Sequence, residues 1–182
     1  MILYHATPVD GIKVLLCDKA FGQTLYFATK KEYCCAYLAN PVQIFCEKNN
    51  IDFAKPCCKW AVNDRDKTTN IPILFEWWEG AFEELYKGVT SNYYVVDKTD
   101  DMVKVKGVYI SKTNVPVKRV IKVPDIYKEL LRLEKAGKII LRRFKDLTKE
   151  EKALIKSFVD KRKMYNSKEL LAFVDAKLGF YI

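Results

Sequence analysis

Apolar residues recur at two different periods along this chain. Up to about residue 123 they fall mostly on alternate positions, and after Pro124 they recur every three to four. The first spacing builds strands with one buried face, and the second builds amphipathic helices. One early stretch contains both. Leu25-Tyr26-Phe27-Ala28 reads as a short buried strand, and Tyr33, Ala36, Tyr37 and Ala39–Asn40 fit one helix face. Thr29 lies at the joint with Glu32 three residues on, which is a capping-box pattern. The prediction is strand, sharp turn and helix, with Tyr26 and Tyr37 eleven residues apart across the turn.

Around that stretch the same patterns place further elements. Ile2–Ala6 is a predicted strand, and Pro8, Asp10 and Gly11 mark a turn. Ile12–Leu16 is a strand edge or an inward-packed loop. The helix over Lys30–Ala39 should stop before Pro41, because the residue before a proline avoids helical geometry. Val42–Cys46 and Ile51–Phe53 fit neither period. Lys59–Val62 is a predicted strand, followed by a polar turn over Asn63–Asn70. Pro72–Trp77 is a strand, Ala81–Tyr86 a short helix closed by Lys87-Gly88, and Asn92–Val96 a strand rich in β-formers. Asp97–Asp101 is a turn. Val103–Ile110 reads as one half-buried strand, and Val117–Val123 as another.

The helical period then takes over. Pro124–Ala136 is a predicted helix with Asp125 near its start and Gly137 past its end. Ile139–Phe144 is a short strand or a linker. A second helix covers Thr148–Met164, opened by the capping box Thr148…Glu151, with Leu154, Ile155, Phe158 and Val159 inward. A third covers Ser167–Leu178, with Leu170, Leu171, Phe173 and Val174 inward. The expected architecture is α+β: a core over residues 1–123, with a helical region over 124–182 packed on it.

Composition narrows the chemistry. A chain of 182 residues can bury roughly 70% of its unfolded surface in one core. No uninterrupted apolar run reaches the roughly 18 residues of a membrane span. The N-terminus lacks the pattern of a signal peptide, so a cytoplasmic protein is expected. The net charge of +9 is accounted for by residues 117–163 alone. That basic stretch suggests two readings: a module for nucleic acid or an acidic protein, or a solvated helical cap over the core. All six cysteines precede residue 59, and two pairs are adjacent, at Cys34-Cys35 and Cys57-Cys58. Reduced, mostly buried thiols are expected from that pattern. With no Cys-x-x-Cys and His5 as the sole histidine, no metal site and no cysteine–histidine nucleophile is expected. No glycine-rich phosphate loop occurs.

A family pattern joins the N-terminal motifs. Leu3-Tyr4-His5-Ala6-Thr7 resembles the histidine strand of the diphtheria-toxin and poly-ADP-ribose-polymerase branch of the ADP-ribosyltransferase superfamily, where the histidine is followed by Gly and then Ser or Thr. Leu25-Tyr26-Phe27-Ala28 resembles that branch's tyrosine strand, and Tyr37 falls at the spacing of its second, stacking tyrosine. Gly80–Gly88 and Val108-Tyr109-Ile110-Ser111…Pro116-Val117 resemble segments of a little-studied group of small bacterial and phage proteins with the same N-terminal pattern. The resemblance spans residues 2–123.

The resemblance implies an ADP-ribosyltransferase-like split sheet that binds NAD in the cleft between its halves, with a protein or nucleic acid as acceptor. His5 and Tyr26 would be the catalytic pair. His5 would hydrogen-bond the ribose, and Ala6 would offer backbone groups to the nicotinamide amide. Thr7 would bond near that amide, and Tyr26 and Tyr37 would hold the ring. Cleavage of the nicotinamide bond develops positive charge on the sugar, which the family steadies with a glutamate. Here that position reads Val108. Either a carboxylate from elsewhere serves, with Glu79, Glu83 and Glu84 nearest in kind, or the register differs, or transfer is lost.

Overall fold

The computed structural model describes residues 1–53, 63–161 and 167–181. In chain order its first half runs β1 (Ile2–Thr7), β2 (Val14–Leu15), β3 (Leu25–Phe27), α1 (Pro41–Lys48), β4 (Asn63–Arg65), β5 (Pro72–Phe75) and α2 (Ala81–Tyr86). The second half runs β6 (Ser91–Asp97), β7 (Val103–Val105), β8 (Val108–Ser111), β9 (Val115–Pro116), β10 (Arg119–Val123), α3 (Ile126–Lys135), β11 (Ile140–Arg142), α4 (Lys149–Asp160) and α5 (Lys168–Leu178). The class is mixed α+β, built on several small sheets.

The central sheet is antiparallel in the order β1-β6-β10, with His5 opposite Tyr94 and Ala6 opposite Tyr93. Successive strand residues point to opposite faces, so Tyr93 and Tyr94 serve different cores. Tyr93 joins Ala6, Leu38, Leu130 and Leu133 beneath α3. Tyr94 joins Leu3, Leu25, Phe27 and Val96 on the other side. A second sheet, β3-β8-β7, stands beside β1 and touches it through one bridge, Tyr4 to Ala28. A third, β11-β5-β4, lies against α1, α4 and α5 over a separate apolar cluster that includes Phe75, Ile155 and Phe173. In it β11 runs parallel to β5, Ile140 opposite Ile73, so a strand beyond residue 123 completes a sheet begun before it.

Several expectations change on contact with the structure. The predicted helix over Lys30–Ala39 is a 3₁₀ helix at Lys31–Tyr37, and no side chain caps it, so the Thr29…Glu32 box does not form. Pro41 begins α1 rather than merely ending its predecessor. Its missing N–H falls where the first turn needs none, and the Asn40 side chain accepts from Val42 N–H at 3.1 Å. Val103–Ile110 is a hairpin, not one strand. Lys106 (φ 46°) and Gly107 (φ 86°) make the tight turn between β7 and β8, since paired positive φ values match the twist of a two-residue loop. Asn63–Arg65, expected in a turn, is β4. Leu154 is 49% exposed rather than inward. The strand expected at Lys59–Val62 and the end of the helix expected at Met164 lie outside the described residues.

Other boundaries agree with the patterns. The box at Thr148 forms in both directions: Thr148 N–H donates to Glu151 Oε2 at 2.8 Å, and Glu151 N–H donates to Thr148 Oγ1 at 3.2 Å. Asp125 caps α3 through Lys128 N–H at 2.9 Å, and Ser167 caps α5 through Leu170 N–H at 3.3 Å. Cys17, Cys34 and Cys35 are free thiols, and burial raises the Cys35 pKa to about 12. Among the described residues no helix is long and apolar enough to cross a membrane. No group of three or more His, Cys, Asp or Glu side chains among them could hold a metal ion.

Candidate functional site

The site begins where β1 and β3 part. Tyr4 and Ala28 exchange both backbone hydrogen bonds, Tyr4 N–H to Ala28 O at 2.9 Å and Ala28 N–H to Tyr4 O at 2.8 Å. A continued antiparallel ladder would next set Ala6 against Tyr26. Instead His5 Nδ1 lies 3.0 Å from the Tyr26 carbonyl oxygen, in the place that a backbone N–H would take. Alternation turns the Ala6 N–H and C=O the same way as those of Tyr4, into the gap. No backbone partner outside its own strand ladder meets them there among the described residues.

The imidazole is held on two sides. Its ring centroid lies 5.8 Å from that of Phe27, tilted by 55°. Burial lowers the His5 pKa below its ordinary value, and the Tyr26 carbonyl partly offsets that. The neutral ring that results must carry its proton on Nδ1, because a carbonyl only accepts. Nε2 is then an acceptor, and the one hydrogen bond seen for the ring among the described residues is that of Nδ1.

Tyr26 and Tyr37 remain at the surface, 43% and 42% exposed. Burial raises the Tyr37 pKa, and the neighbouring Cys34 and Tyr26 add to the shift. The strand and the 3₁₀ helix therefore bring the two tyrosines together. Thr7 is half-buried and committed locally: its hydroxyl accepts from Val9 N–H at 3.4 Å, and its carbonyl accepts from Ser91 Oγ at 3.1 Å. His5, Ala6, Tyr26 and Tyr37 thus converge on the gap, while Thr7 sits at its end.

Val108 opens β8. Tyr26 pairs with Ile110 and Ile110 with Val103, while Val108 pairs with Val105. Directly paired residues share a face, so Tyr26, Ile110, Val103, Val108 and Val105 make one apolar face of this sheet. Val103 and Val105 on it are 59% and 40% exposed. No carboxylate stands on those strand positions. Of the three acids considered from sequence, Glu83 pairs with Lys87 at 2.5 Å, and Glu84 accepts from Trp78 Nε1 at 2.8 Å and also pairs with Lys177. Glu79 has no ion pair among the described residues.

Sequence reasoning passed over one acid. It assigned Glu32 to a helix cap, yet Glu32 is half-buried on the same 3₁₀ helix as Tyr37, with no ion pair among the described residues. It lies near enough to Cys34 and Cys35 to raise both thiols. The signal that could have found it is the failure of a cap: freed from that duty, a half-buried carboxylate becomes the nearest acid along the chain to the tyrosine pair.

No protein-family model, curated protein or solved structure matches this chain.

Proposed function

We propose that this protein binds NAD or a related nucleotide in the split between β1 and β3, on an ADP-ribosyltransferase-like core. The observation that carries the reading is the opening itself. Ala6 turns an N–H and a C=O that have no partner among the described residues into the gap, His5 presents an acceptor nitrogen beside them, and two half-exposed tyrosines flank it. A carboxamide needs one acceptor and one donor on neighbouring backbone groups, and an aromatic ring needs apolar walls. Nicotinamide supplies both. The apolar face around Val108 gives a developing sugar cation no carboxylate, so the protein acts as a binding module rather than a transferase.

Calorimetry with NAD tests the binding. Heat of binding is expected at millimolar NAD or below, weakened by His5→Ala in a variant that still unfolds cooperatively. Absence of binding at millimolar NAD sinks the proposal. Incubation with labelled NAD separates module from enzyme. Neither labelling nor hydrolysis is expected. Turnover that disappears in Glu32→Gln would instead make Glu32 the charge-bearing residue and the protein an enzyme.

The basic C-terminal region supports a rival reading, a nucleic-acid or acidic-protein module. Four of its sixteen basic side chains pair with acids of the same stretch, Arg132 on Glu129, Arg142 on Glu151, Arg143 on Glu134 and Lys156 on Asp160, and the net charge of +9 remains after those acids are counted. A gel shift present at low salt and lost at high salt would favour it, because phosphate contacts release counterions.

A further inference from the structure

The central sheet ends on an open edge. In the order β1-β6-β10, β1 meets β3 through the Tyr4–Ala28 bridge, whereas no strand lies beyond β10 among the described residues. The outer strands of the neighbouring sheets, β3, β4, β7 and β11, have three residues each, and β10 has five. Backbone alternation fixes which groups of β10 face outward. Tyr4 bonds Ala28, so it turns away from β6, and its partner Val95 turns toward β10. Arg119, opposite Val95, and the alternate residues Ile121 and Val123 therefore bond β6. Val120 and Lys122 turn their N–H and C=O groups out of the sheet. Both residues are exposed, and no backbone partner outside the strand ladder meets them among the described residues.

One flank of this edge is both apolar and basic. Directly paired residues share a face, so Arg119, Ile121 and Val123 stand on the face of Tyr93, the one that packs beneath α3. A groove runs there beside Ile121 and Val123, with Lys128 of α3 on its wall. Most cations nearby are already paired: Lys118 with Asp97, Lys122 with Asp10, and Lys31 and Arg132 with Glu129. Arg119 and Lys128 are exposed and have no ion pair among the described residues.

We propose that β10 accepts an extended acidic segment of a partner protein as an added strand. The backbone of that segment pairs with Val120 and Lys122, an apolar side chain covers Ile121, and acidic side chains reach Arg119 and Lys128. The same cations disfavour a second copy of this chain, because two such edges would bring like charges together. The site lies on the opposite side of the sheet from the gap at His5. It deepens, and rests on, the acidic-protein reading of the basic region, and it is independent of nucleotide binding.

The test is calorimetric titration of the full chain with the capped peptide Glu-Thr-Val-Thr-Val-Thr-Glu. Binding is expected below millimolar peptide and should weaken as salt rises. With the valines over Ile121, every amide that faces the edge belongs to a threonine, so N-methylating the threonines should weaken binding about tenfold or more. Val120→Pro removes an outward donor and no bond to β6, as an open edge tolerates. It should weaken binding while still unfolding cooperatively. Lys128→Gln should weaken binding about threefold, and His5→Ala should bind as the parent does. If Val120→Pro unfolds, the methylated peptide decides alone. Equal binding of the methylated peptide overturns this edge and leaves the acidic-protein reading standing on charge alone. No binding at millimolar peptide overturns both. Dimerisation of the chain that Val120→Pro abolishes puts a second copy on the edge and overturns the proposal.

Discussion

Two stretches of this chain have the same helix-start signature and different fates. Thr148…Glu151 closes a reciprocal pair of hydrogen bonds and launches the twelve-residue α4. Thr29…Glu32 closes nothing and precedes seven residues of 3₁₀ helix. The difference lies in what each threonine adjoins. Thr148 follows a short connecting turn and is free to adopt cap geometry. Thr29 follows Ala28, whose backbone is bonded to Tyr4, and Pro41 opens a new helix twelve residues on. Between two fixed ends, seven residues cover about 14 Å as a 3₁₀ helix, against about 10 Å as an α-helix. A capping pattern thus describes an opportunity, and the neighbouring strand decides whether it is taken.

The sharpest way to break this comparison is through packing. Ile155, fully buried in α4, should cost about 3 kcal/mol on replacement by Ala, measured by urea unfolding, whereas Tyr37→Ala in the short helix should cost well under half of that. A loss of the same size at Tyr37 would make the 3₁₀ helix as much a part of the core as α4. The caps themselves come next. Thr148→Ala should destabilise by about 1 kcal/mol, and an unchanged midpoint would show that the box contributes nothing.

A pH effect follows, confined to the cleft. The folded-state pKa of His5 lies below its unfolded value, so the unfolded chain binds the proton first. Stability is therefore complete above the ordinary value of 6.5 and falls as pH drops through that value toward the depressed one. The difference in melting temperature between parent and His5→Asn should change sharply across that window. A flat difference would place the imidazole in water. The smallest expected effect is Thr29→Ala, within about 0.5 kcal/mol of the parent, because no hydrogen bond of a cap is lost there.

Much of the fold was legible where the pattern was local. Pattern and position placed β1, a run of β-forming residues placed β6, and the 3.6 period with a polar first residue placed α3 and α5. The hairpin at Lys106-Gly107 was missed because apolar residues continue on both sides of the turn, so its only signal was one glycine. Helix α1 was missed because Pro41 read as a stop, although a proline fits the first helical turn as well. At the cleft, the order of His5, Tyr26 and Tyr37 was visible, and the structure brings all three together. The Ala6 backbone groups, without a partner among the described residues, were not visible, since they depend on two strands diverging after a single bridge.

The parallel pairing of β11 with β5 bears on how the protein is made. On a growing chain, Pro72–Phe75 is synthesised long before Ile140–Arg142 arrives to cover its edge. Until then an entirely apolar strand stands with one side unsatisfied, which is the form that recruits other chains. Antiparallel β4 guards only the opposite side. Synthesis that stalls near residue 123 would release a fragment prone to clump, and a full-length product depends on the last third of the message being translated before that edge finds a stranger.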